Sequence, residues 1–409
     1  MTQSDQIPPY VTVKAGHVQP IWAGHPWVFK QAIERVEPGL GPGDEVLVLD
    51  PHGKVLGRGL YSPKSAIVVR LYTTDGTRAI DASLMHQQIE RAVAMRRAQG
   101  LPESQPDKET TGFRLIHGEG DGLPGLVVDA FDDVLVVQLG TAGLARLEDA
   151  IVEGLVRTVA PRAIIDRTPA EIAKVEGVPT QAEGPRVLMG ETPTELSFRE
   201  RGLRFELPLE LAQKTGYYFD QRPLRDRIEA LSRGSRVLDA CCYVGSIGLS
   251  AARGGASEVL CVDKSEPAIE VGKRCAELNG ATDKVTFQAT EARHAFRAAA
   301  EEGTYDIVIC DPPKLAVRRR SRNKALNTYR KLAAGACSAT SHGGVLAFCS
   351  CSASISTDAL QRSLALGARD AGRRAVVFDR CVQGGDHPVV AAFPEGLYLR
   401  VLLARIEPV

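Results

Sequence analysis

From Gly234 onward, short apolar runs alternate with helical segments, and this rhythm restricts the possible folds more than any other feature. Seven runs are candidate strands: Arg236–Ala240, Glu258–Asp263, Lys284–Gln288, Tyr305–Cys310, Gly344–Cys349, Ala375–Phe378 and Leu397–Ala404. Apolar strands separated by helices are typical of a parallel sheet covered on both faces. The last two runs have no obvious helix between them, which predicts an antiparallel hairpin at the sheet edge. We therefore predict an α/β, Rossmann-like, seven-stranded domain over residues 210–409.

The preceding half of the chain carries shorter elements broken by glycine and proline, so two or three domains are expected in 409 residues. Residues 1–78 are predicted to form a small β-barrel, with strands Tyr10–Val13, Gly43–Leu49, Lys54–Tyr61 and Ala66–Leu71. Residues 79–209 are predicted as a linker helix, capped by Asp81, and a small α+β domain. That domain includes a hairpin, Leu126–Asp129 with Val134–Leu139, a helix over about Leu144 to Thr158, and strands Ala163–Arg167 and Arg204–Leu207.

Composition restricts the function classes only loosely. Lys+Arg and Asp+Glu each number 50, so the net charge is zero and gives no support for nucleic-acid binding. The nine cysteines all lie from Cys241 onward, without a paired framework, which favours reduced thiols and a cytoplasmic location. The absence of CxxC pairs and histidine clusters predicts no structural zinc. Residues Met1–Pro9 do not resemble a signal peptide, and no apolar run reaches membrane-spanning length.

The loop after the first strand of the α/β domain predicts a nucleoside site. Arg236–Ala240 runs into Cys-Cys-Tyr-Val-Gly-Ser-Ile-Gly, with glycines at Gly245 and Gly248, and then into a helix. A dinucleotide fold would carry GxGxxG here, so a nucleoside without phosphates, such as S-adenosylmethionine, fits better. Asp263 ends the second strand, 24 residues after Asp239, where an acid can accept both hydroxyls of a ribose. The alternatives are a glycine turn without a ligand and Asp263 as a helix N-cap.

Two further strand ends suggest methyl transfer to carbon-5 of a pyrimidine. The fourth strand ends in Asp311-Pro-Pro, a rigid turn that can face a planar base, and the fifth ends in Cys349-Ser-Cys351. Carbon-5 is too electron-poor to attack a methyl sulfonium unless a thiolate adds to carbon-6. Cys351, at the strand exit, is the predicted nucleophile and Asp311 the carboxylate beside ring nitrogen N3, whereas Cys349 is expected in the core.

Several longer motifs resemble one family, in order along nearly the whole chain. They are Lys-Thr-Gly-Tyr-Tyr-Phe-Asp-Gln-Arg at 214–222, Asp-Pro-Pro-Lys at 311–314, Ser-Cys-Ser at 350–352, Asp-His-Pro-Val at 386–389 and Pro-Glu-Gly-Leu-Tyr-Leu at 394–399, preceded by His-Pro-Trp-Val-Phe at 25–29, Arg-Gly-Leu-Tyr-Ser-Pro at 58–63 and Gly-Asp-Gly-Leu-Pro-Gly at 120–125. This pattern resembles the RlmI-like family, bacterial S-adenosylmethionine-dependent methyltransferases that act on cytosine carbon-5 of 23S ribosomal RNA. The resemblance implies a PUA-type barrel, a small α+β domain and a C-terminal methyltransferase domain.

The resemblance also implies that residues 214–222 lie over the cofactor. With the strand ends, the predicted cofactor-binding residues are Gln213, Thr215, Gln221, Asp239, Ala240, Cys241, Tyr243, Gly245, Asp263, Lys264, Glu291 and Asp311. The aromatics Tyr217 to Phe219 are expected mostly to pack. The chain departs from the family pattern at two places. Its glycine loop reads Tyr-Val-Gly-Ser at 243–246, where the family usually has Tyr-Thr-Gly-Gly, and Glu291 stands where the family usually has aspartates. Pro313 replaces the cysteine of two-cysteine relatives, which implies a one-cysteine mechanism with the proton-removing base unassigned.

A basic run beside the predicted site indicates RNA contact. Residues 314–331 contain no acid, and the predicted RNA-binding residues are Lys314, Arg318, Arg319, Arg320 and Arg322, together with Lys64 and Arg70 in the barrel. Trp27 and Arg58 are further candidates, although Trp27 could equally be core. A run of charges is often only a solvated helix face. A single-stranded target is expected because the base must enter the pocket.

Three other functions remain open on the sequence alone. An RNA N-methyltransferase could use Asp311-Pro-Pro without a thiol, and an RNA-binding assembly factor could carry a vestigial cofactor site. A small-molecule methyltransferase would leave the barrel and middle domain without a role. The expected partner is 23S ribosomal RNA or a large-subunit precursor, with no membrane association and with a homodimer possible.

Overall fold

The computed structural model describes residues 8–179, 185–211, 215–315 and 322–409. The chain divides into two compact units. The first comprises Met1–Glu200, Ala212–Tyr217 and Gly385–Gly396, and the second comprises Arg201–Leu211, Tyr218–Gly384 and Leu397–Val409. The predicted division at residues 78 and 209 into three domains remains a prediction.

The first unit begins with a six-stranded sheet. Its strands are β1 (Tyr10–Val13), β2 (Trp27–Phe29), β3 (Ile33–Val36), β4 (Glu45–Leu49), β5 (Val55–Tyr61) and β6 (Ile67–Thr73), with helix α1 (Val18–Trp22) between β1 and β2. The order is β2-β6-β5-β4-β1-β3, and β1 pairs with β4 in parallel. The four strands predicted from sequence are confirmed. β2 and β3 were missed because they have only three and four residues and lack a clear apolar alternation.

A five-stranded sheet and four helices complete the regular structure of this unit. The strands are β7 (Gly112–His117), β8 (Leu126–Phe131), β9 (Val134–Leu139), β10 (Ala163–Asp166) and β11 (Arg186–Met189), and β12 (Glu195–Glu200) follows them. The helices are α2 (Ala82–Ala98), α3 (Ala142–Arg146), α4 (Glu148–Val159) and α5 (Ala170–Glu176). The β8–β9 hairpin and the Asp81 cap, which accepts from the Leu84 backbone N–H at 2.9 Å, are confirmed. The single helix predicted over 144–158 is wrong, because the helix breaks at Leu147 between α3 and α4.

One apolar core joins strands β5 and β6 of the six-stranded sheet to the five-stranded sheet. Leu60 of β5 and Tyr72 of β6 belong to the same buried cluster as Met85 and Ile89 of α2. The Tyr72 hydroxyl also donates to the Pro124 carbonyl oxygen at 2.8 Å. Because the apolar contacts run continuously from one sheet to the other, the two parts form one compact unit.

Buried charges within the first unit fix the segment Gly385–Gly396 in place. The Arg96 guanidinium, fully buried in α2, donates to both carboxylate oxygens of Asp121 at 2.8 and 2.7 Å. It also donates to the Asp386 carbonyl oxygen at 3.0 Å, while the Asp386 carboxylate accepts from the Arg114 backbone N–H at 3.0 Å. Two family-like motifs, Gly-Asp-Gly-Leu-Pro-Gly and Asp-His-Pro-Val, therefore meet at Arg96 for structural reasons.

We expect Asp121→Ala to destabilise the protein by about 3–5 kcal/mol, because Arg96 would be left as an unpaired buried charge. The matched control is Glu90→Ala, which removes an exposed partner of Arg157 at 2.6 Å on the same helix and should change stability by less than about 1 kcal/mol. Urea unfolding measures both. Equal effects of the two substitutions would contradict this assignment.

The second unit is built on a seven-stranded sheet. Its strands are β14 (Arg236–Ala240), β15 (Glu258–Asp263), β16 (Val285–Ala289), β17 (Tyr305–Cys310), β18 (Thr340–Ser350), β19 (Arg373–Cys381) and β20 (Arg400–Pro408), and β13 (Leu203–Pro208) precedes them. The order is β16-β15-β14-β17-β18-β20-β19. The predicted Rossmann-like sheet is confirmed, including the antiparallel hairpin of β19 and β20. β20 also pairs antiparallel with β18, so it lies inside the sheet.

Helices follow most of the parallel strands of this unit. They are α6 (Arg222–Leu231), α7 (Ser246–Arg253), α8 (Glu266–Leu278), α9 (Ala292–Glu302), α10 (Arg322–Ala339) and α11 (Thr357–Asp370). The sheet's strands from β14 to β18 run in parallel, so their carboxyl ends share one edge. Across the described parts of the chain, no helix is long and apolar enough to cross a membrane. All nine cysteines lie within the described ranges, and none of them forms a disulfide there.

Candidate active site

The parallel register brings the predicted strand ends of the second unit side by side. Ala240 at the end of β14 pairs with Val262 on one side and with Cys310 on the other, and Cys310 pairs with Phe348. The Asp311 backbone N–H donates to the Ala240 carbonyl oxygen at 3.3 Å. Ligand crevices of open α/β sheets lie outside such carboxyl ends. The loops after β14, β15, β17 and β18 therefore border one crevice.

The loop after β14 has a strained backbone that suits a close ligand. Cys241 and Tyr243 have positive φ angles of 66° and 55°, and Gly245 has 73°. Non-glycine residues in this region are uncommon and concentrate at functional sites. At Gly248, an added Cβ would lie 2.3 Å from the Cys261 sulfur, so only glycine lets α7 pack this closely on β15.

The two acids predicted for the cofactor lie on either side of this loop. The Asp239 carboxylate accepts from the Gly248 backbone N–H at 2.9 Å, and Asp263 accepts from the Tyr243 backbone N–H at 3.1 Å and from the Ser265 backbone N–H at 2.9 Å. Asp239 is completely buried, and burial raises the pKa of its carboxyl to about 7. Its Oδ1 has no hydrogen-bond partner within the described ranges, which leaves an acceptor for a ligand.

Asp311 is held by a residue that the sequence motifs had placed at the cofactor. The Gln221 side-chain amide donates to Asp311 Oδ2 at 2.8 Å. Gln221 ends the 3₁₀ turn Phe219–Gln221, directly before α6, and is only 5% exposed. Gln221 and Asp311 are thus brought together, and the amide anchors the carboxylate of the Asp-Pro-Pro loop.

The two cysteines at the end of β18 have different environments. Cys349 is fully buried, and burial with the charge of Asp311 raises the pKa of its thiol well above the usual range. Cys351 directly follows the last residue of β18 and is partly exposed. Burial raises the pKa of the hydroxyls of Tyr218 and Tyr329, and a thiolate at Cys351 and the carboxylate of Asp311 would both add to that rise. Cys351 and Asp311 therefore share neighbours at the crevice, whereas Cys349 packs in the sheet.

Tyr218 is the site residue that the sequence analysis missed, because it was assigned to packing. Burial raises the pKa of its hydroxyl to about 12, assisted by the negative charges of Asp311, Asp220, Cys351 and Asp263. Its ring packs edge-to-face on Tyr243 at 5.5 Å between centroids. The contact with Tyr243, a predicted cofactor residue, makes Tyr218 a further candidate for the site. Its position directly before the Phe-Asp-Gln-Arg string was the available signal.

The remaining predicted cofactor residues are less informative. Lys264 and Glu291 are exposed, and Glu291 forms an ion pair with Arg293 at 2.7 Å. Burial and the charge of Asp311 raise the pKa of the Cys241 thiol to about 12. Thr215 is buried in the first unit, and Gln213 lies outside the described residues. The contacts of these residues with a cofactor remain predictions.

The predicted RNA-binding residues also differ in their surroundings. Lys64, Lys314 and Arg322 are exposed, while Arg318, Arg319 and Arg320 lie outside the described residues. Arg70 lies 3.6 Å from the buried carboxylate of Glu176, and Arg58 lies 2.5 Å from Glu45, which favours structural roles for both. Trp27 is half-buried, donates to Glu119 at 2.7 Å and packs on Phe393 at 4.5 Å between ring centroids, which favours a packing role.

A nucleoside with a charged side chain fits these residues. The strained loop leaves backbone groups near the strand end, and Asp239 keeps a buried oxygen without a partner among the described residues. The binding of ribose hydroxyls by Asp263 remains a prediction. No cluster of His, Cys, Asp and Glu that could hold a metal was found in the described portion of the chain.

We expect Asp239→Asn to stabilise the protein increasingly as the pH rises from about 4 to 7. The carboxyl's pKa is about 7 in the fold against an ordinary 3.8, so the folded state holds a proton that the unfolded state has lost, and wild-type stability falls across that window. Above pH 7 the free energy of unfolding of Asp239→Asn should exceed that of the wild type by at most about 4 kcal/mol. Melting curves at pH 5 and pH 8 measure this.

Asp370→Asn is the matched control for that experiment. The Arg330 guanidinium lies 2.6 Å from Asp370 and lowers the pKa of that carboxyl, so this substitution should give a small effect of opposite sign at pH 8. A stability difference between Asp239→Asn and wild type that does not change with pH would contradict the raised pKa of Asp239.

Comparisons with known proteins agree with this geometry. Residues 11–74 match a family model described as a PUA-like domain, and residues 114–392 match one described as an S-adenosylmethionine-dependent methyltransferase. The chain is 36% identical over 405 residues to ribosomal RNA large subunit methyltransferase I of Shewanella denitrificans, covering 97% of this chain and 99% of that protein. It is 33% identical to the protein of the same name from Klebsiella pneumoniae, covering 98% and 100%.

A solved structure resembles the whole fold. An S-adenosylmethionine-dependent methyltransferase from Streptococcus mutans superimposes with a TM-score of 0.81 at 18% identity, covering 97% of this chain and 100% of that one. A further methyltransferase structure, complexed with SAH, gives a TM-score of 0.82 at 19% identity, with the same coverage. At such identities the likeness shows the fold.

Proposed function

This chain belongs to the ribosomal RNA large subunit methyltransferase I family of S-adenosylmethionine-dependent methyltransferases, and we propose that it methylates carbon-5 of a cytosine in 23S ribosomal RNA. Its cofactor is S-adenosylmethionine. The observation that carries the proposal is the pairing of β17 with β18, which sets Cys310 beside Phe348, so that Asp311 and Cys351 follow neighbouring strand ends at the same edge of the sheet. A thiol and a carboxylate on either side of one base are what covalent carbon-5 chemistry needs.

The residues of this site divide the reaction between them. The cofactor, when bound beside Asp239 and Asp263, supplies an electrophilic methyl group. The Cys351 sulfur forms a bond to carbon-6 of the base, and the proton of the thiol passes to ring nitrogen N3, beside the Asp311 carboxylate. Carbon-5, now electron-rich, would form a bond to the methyl carbon while the bond from that carbon to the sulfonium sulfur breaks and a neutral thioether leaves. Loss of the carbon-5 proton to a base then breaks the bond between Cys351 and carbon-6, and N3 gives up its proton.

Cys351→Ala should abolish methyl transfer to cytosine carbon-5, with a loss of at least about 10³-fold, because carbon-5 stays electron-poor without the thiolate addition. The assay is mass-spectrometric mapping of methylated nucleotides after incubation with ribosomal RNA. RNA containing 5-fluorocytosine should also trap wild-type protein as a covalent adduct, since the fluorine cannot leave as a proton.

Cys381→Ala is the control, because Cys381 is also a partly exposed thiol in the same sheet. This variant should keep both the methyl transfer and the trapped adduct. Methyl transfer that survives in Cys351→Ala would remove the covalent mechanism and favour the RNA N-methyltransferase, whereas an absence of cofactor binding in calorimetry would favour the assembly factor.

Lys314 and Arg322 are proposed to contact RNA phosphates. Both are exposed, and both belong to the predicted basic run of residues 314–331, which begins at the Asp-Pro-Pro loop. Replacing both with alanine should reduce the slope of log affinity against log salt by about 0.7 for every phosphate of single-stranded RNA that is no longer neutralised. Filter binding at several salt concentrations measures the slope.

The matched control replaces Lys273 and Arg293, two exposed cations of the same unit that are paired with Glu270 and Glu291. Removing these should leave the salt dependence as it is. If the two double variants have equal slopes, the basic run does not contact the RNA.

A further inference from the structure

We propose that Gln221 is a positioning residue that holds Asp311 as a hydrogen-bond acceptor and thereby selects cytosine over uracil. This inference rests on the proposed function, because it assigns a role to the residue beside the carboxylate that faces the base. It is carried by the contact of the Gln221 amide with Asp311 at 2.8 Å, by the burial of that amide and by the anchoring of its backbone.

The contact fixes the orientation of both groups. An ionised carboxylate only accepts hydrogen bonds, so the nitrogen of the Gln221 amide must face Asp311. A bond from an amide N–H also favours the ionised form of the carboxylate. The contact occupies one lone pair of Oδ2, and a carboxylate has about four lone-pair sites in all.

The backbone that leads into Gln221 is held from several directions. The Tyr218 carbonyl oxygen accepts two N–H bonds from the Arg225 guanidinium, both at 3.1 Å. The Asp220 carbonyl oxygen accepts from the Gly384 backbone N–H at 3.1 Å, and its carboxylate accepts from the Tyr398 hydroxyl at 2.7 Å. The turn that presents Gln221 is therefore rigid, as a residue that positions another must be.

The other end of the amide indicates that Gln221 is not there for stability. Its Oε1 is buried and has no hydrogen-bond partner within the part of the chain that the structure describes. A buried carbonyl without a partner is unfavourable, and an apolar side chain of the same shape would avoid that penalty. Retaining glutamine at this position makes sense if the bond to Asp311 serves catalysis.

The chemistry of the two pyrimidines explains how an acceptor selects cytosine. Once Cys351 has added and N3 carries a proton, cytosine presents two donors on one edge, the N3–H and the exocyclic N4 amine. Uracil presents the N3–H beside the carbonyl oxygen O4, which would face a carboxylate as a second acceptor. A site that is built to accept from an amine rejects the analogue that lacks it.

Two variants of Gln221 test the proposal. Gln221→Met keeps the shape and removes the donor, so the rate of methyl transfer to cytosine should fall about 100-fold through misplacement of Asp311, with little change in KM for RNA. The melting temperature should stay level or rise. Gln221→Glu places a second carboxylate at hydrogen-bond distance, so the pair shares a proton that can be donated to O4. Its preference for cytosine over uracil should fall at least about tenfold.

The measurements are melting curves and single-turnover methyl transfer on two RNA oligonucleotides that differ only by cytosine or uracil at the target. Gln383→Met is the matched control. Gln383 is also buried, but its side-chain oxygen accepts from the Tyr398 and Leu399 backbone N–H groups at 3.2 and 3.4 Å. This variant should lose stability and keep the wild-type preference for cytosine.

The proposal is overturned if Gln221→Met transfers methyl at the wild-type rate, or if the Gln221 variants lose stability as Gln383→Met does while their preference for cytosine is unchanged. These results differ from a failure of the proposed function, in which the wild-type protein itself would place no methyl group on cytosine carbon-5. That result would remove both proposals.

Discussion

The parallel pairing of β14 with β17 is the constraint on which the rest of the site depends. Its register sets Ala240 beside Cys310, so that the glycine loop and the Asp-Pro-Pro loop leave the sheet at the same height. The hydrogen bond from the Asp311 backbone to Ala240 extends this pairing past the last strand residue. A shift of one residue would turn every side chain of β17 to the opposite face and separate Asp311 from its neighbours.

Electrostatically, three acids lie at the carboxyl edge of the sheet, Asp239, Asp263 and Asp311, and Asp239 is completely buried. Burial and the charge of Asp311 together raise the pKa values of surrounding cysteines and of Tyr218. Such an arrangement is unfavourable for the isolated protein, because the carboxylates repel one another and Asp239 loses its hydration. It is suited to a ligand that carries positive charge, and the sulfonium and ammonium groups of S-adenosylmethionine meet that requirement. Stability and cofactor affinity are therefore opposed at this site.

The sequence predicted the second unit better than the first, and the reason is physical. β14, β15 and β17 were predicted with the bounds that the structure shows, because strands buried on both faces are apolar throughout. In the first unit, β2, β3 and β11 were missed, since strands of three or four partly exposed residues leave little pattern, and β7 and β12 were also not predicted. The break between α3 and α4 depends on tertiary packing and on the Thr141 cap, which the apolar periodicity did not reveal.

For the site, strand ends could be predicted and side-chain partners could not. Asp239, Asp263 and Asp311 follow from topology, because carboxyl ends of parallel strands converge. The bond between Gln221 and Asp311 joins residues 90 positions apart. The raised pKa of Tyr218 depends on its burial and on acidic groups from several separate loops. The buried cluster around Arg96 shows the same limit, because family-like motifs in that cluster are explained by ion pairing rather than by catalysis.

The insertion of β20 between β18 and β19 has a consequence for synthesis of the protein. While a nascent chain has emerged only as far as β19, the sheet can hold β16, β15, β14, β17 and β18 in register, but β18 still presents an open edge with apolar residues. Such an edge invites pairing with other chains. β20 is made last among the strands of this sheet, and it is the strand that covers the edge of β18 and joins β19 to the sheet. The sheet that carries the crevice is therefore complete only after residues 400–408 have been synthesised.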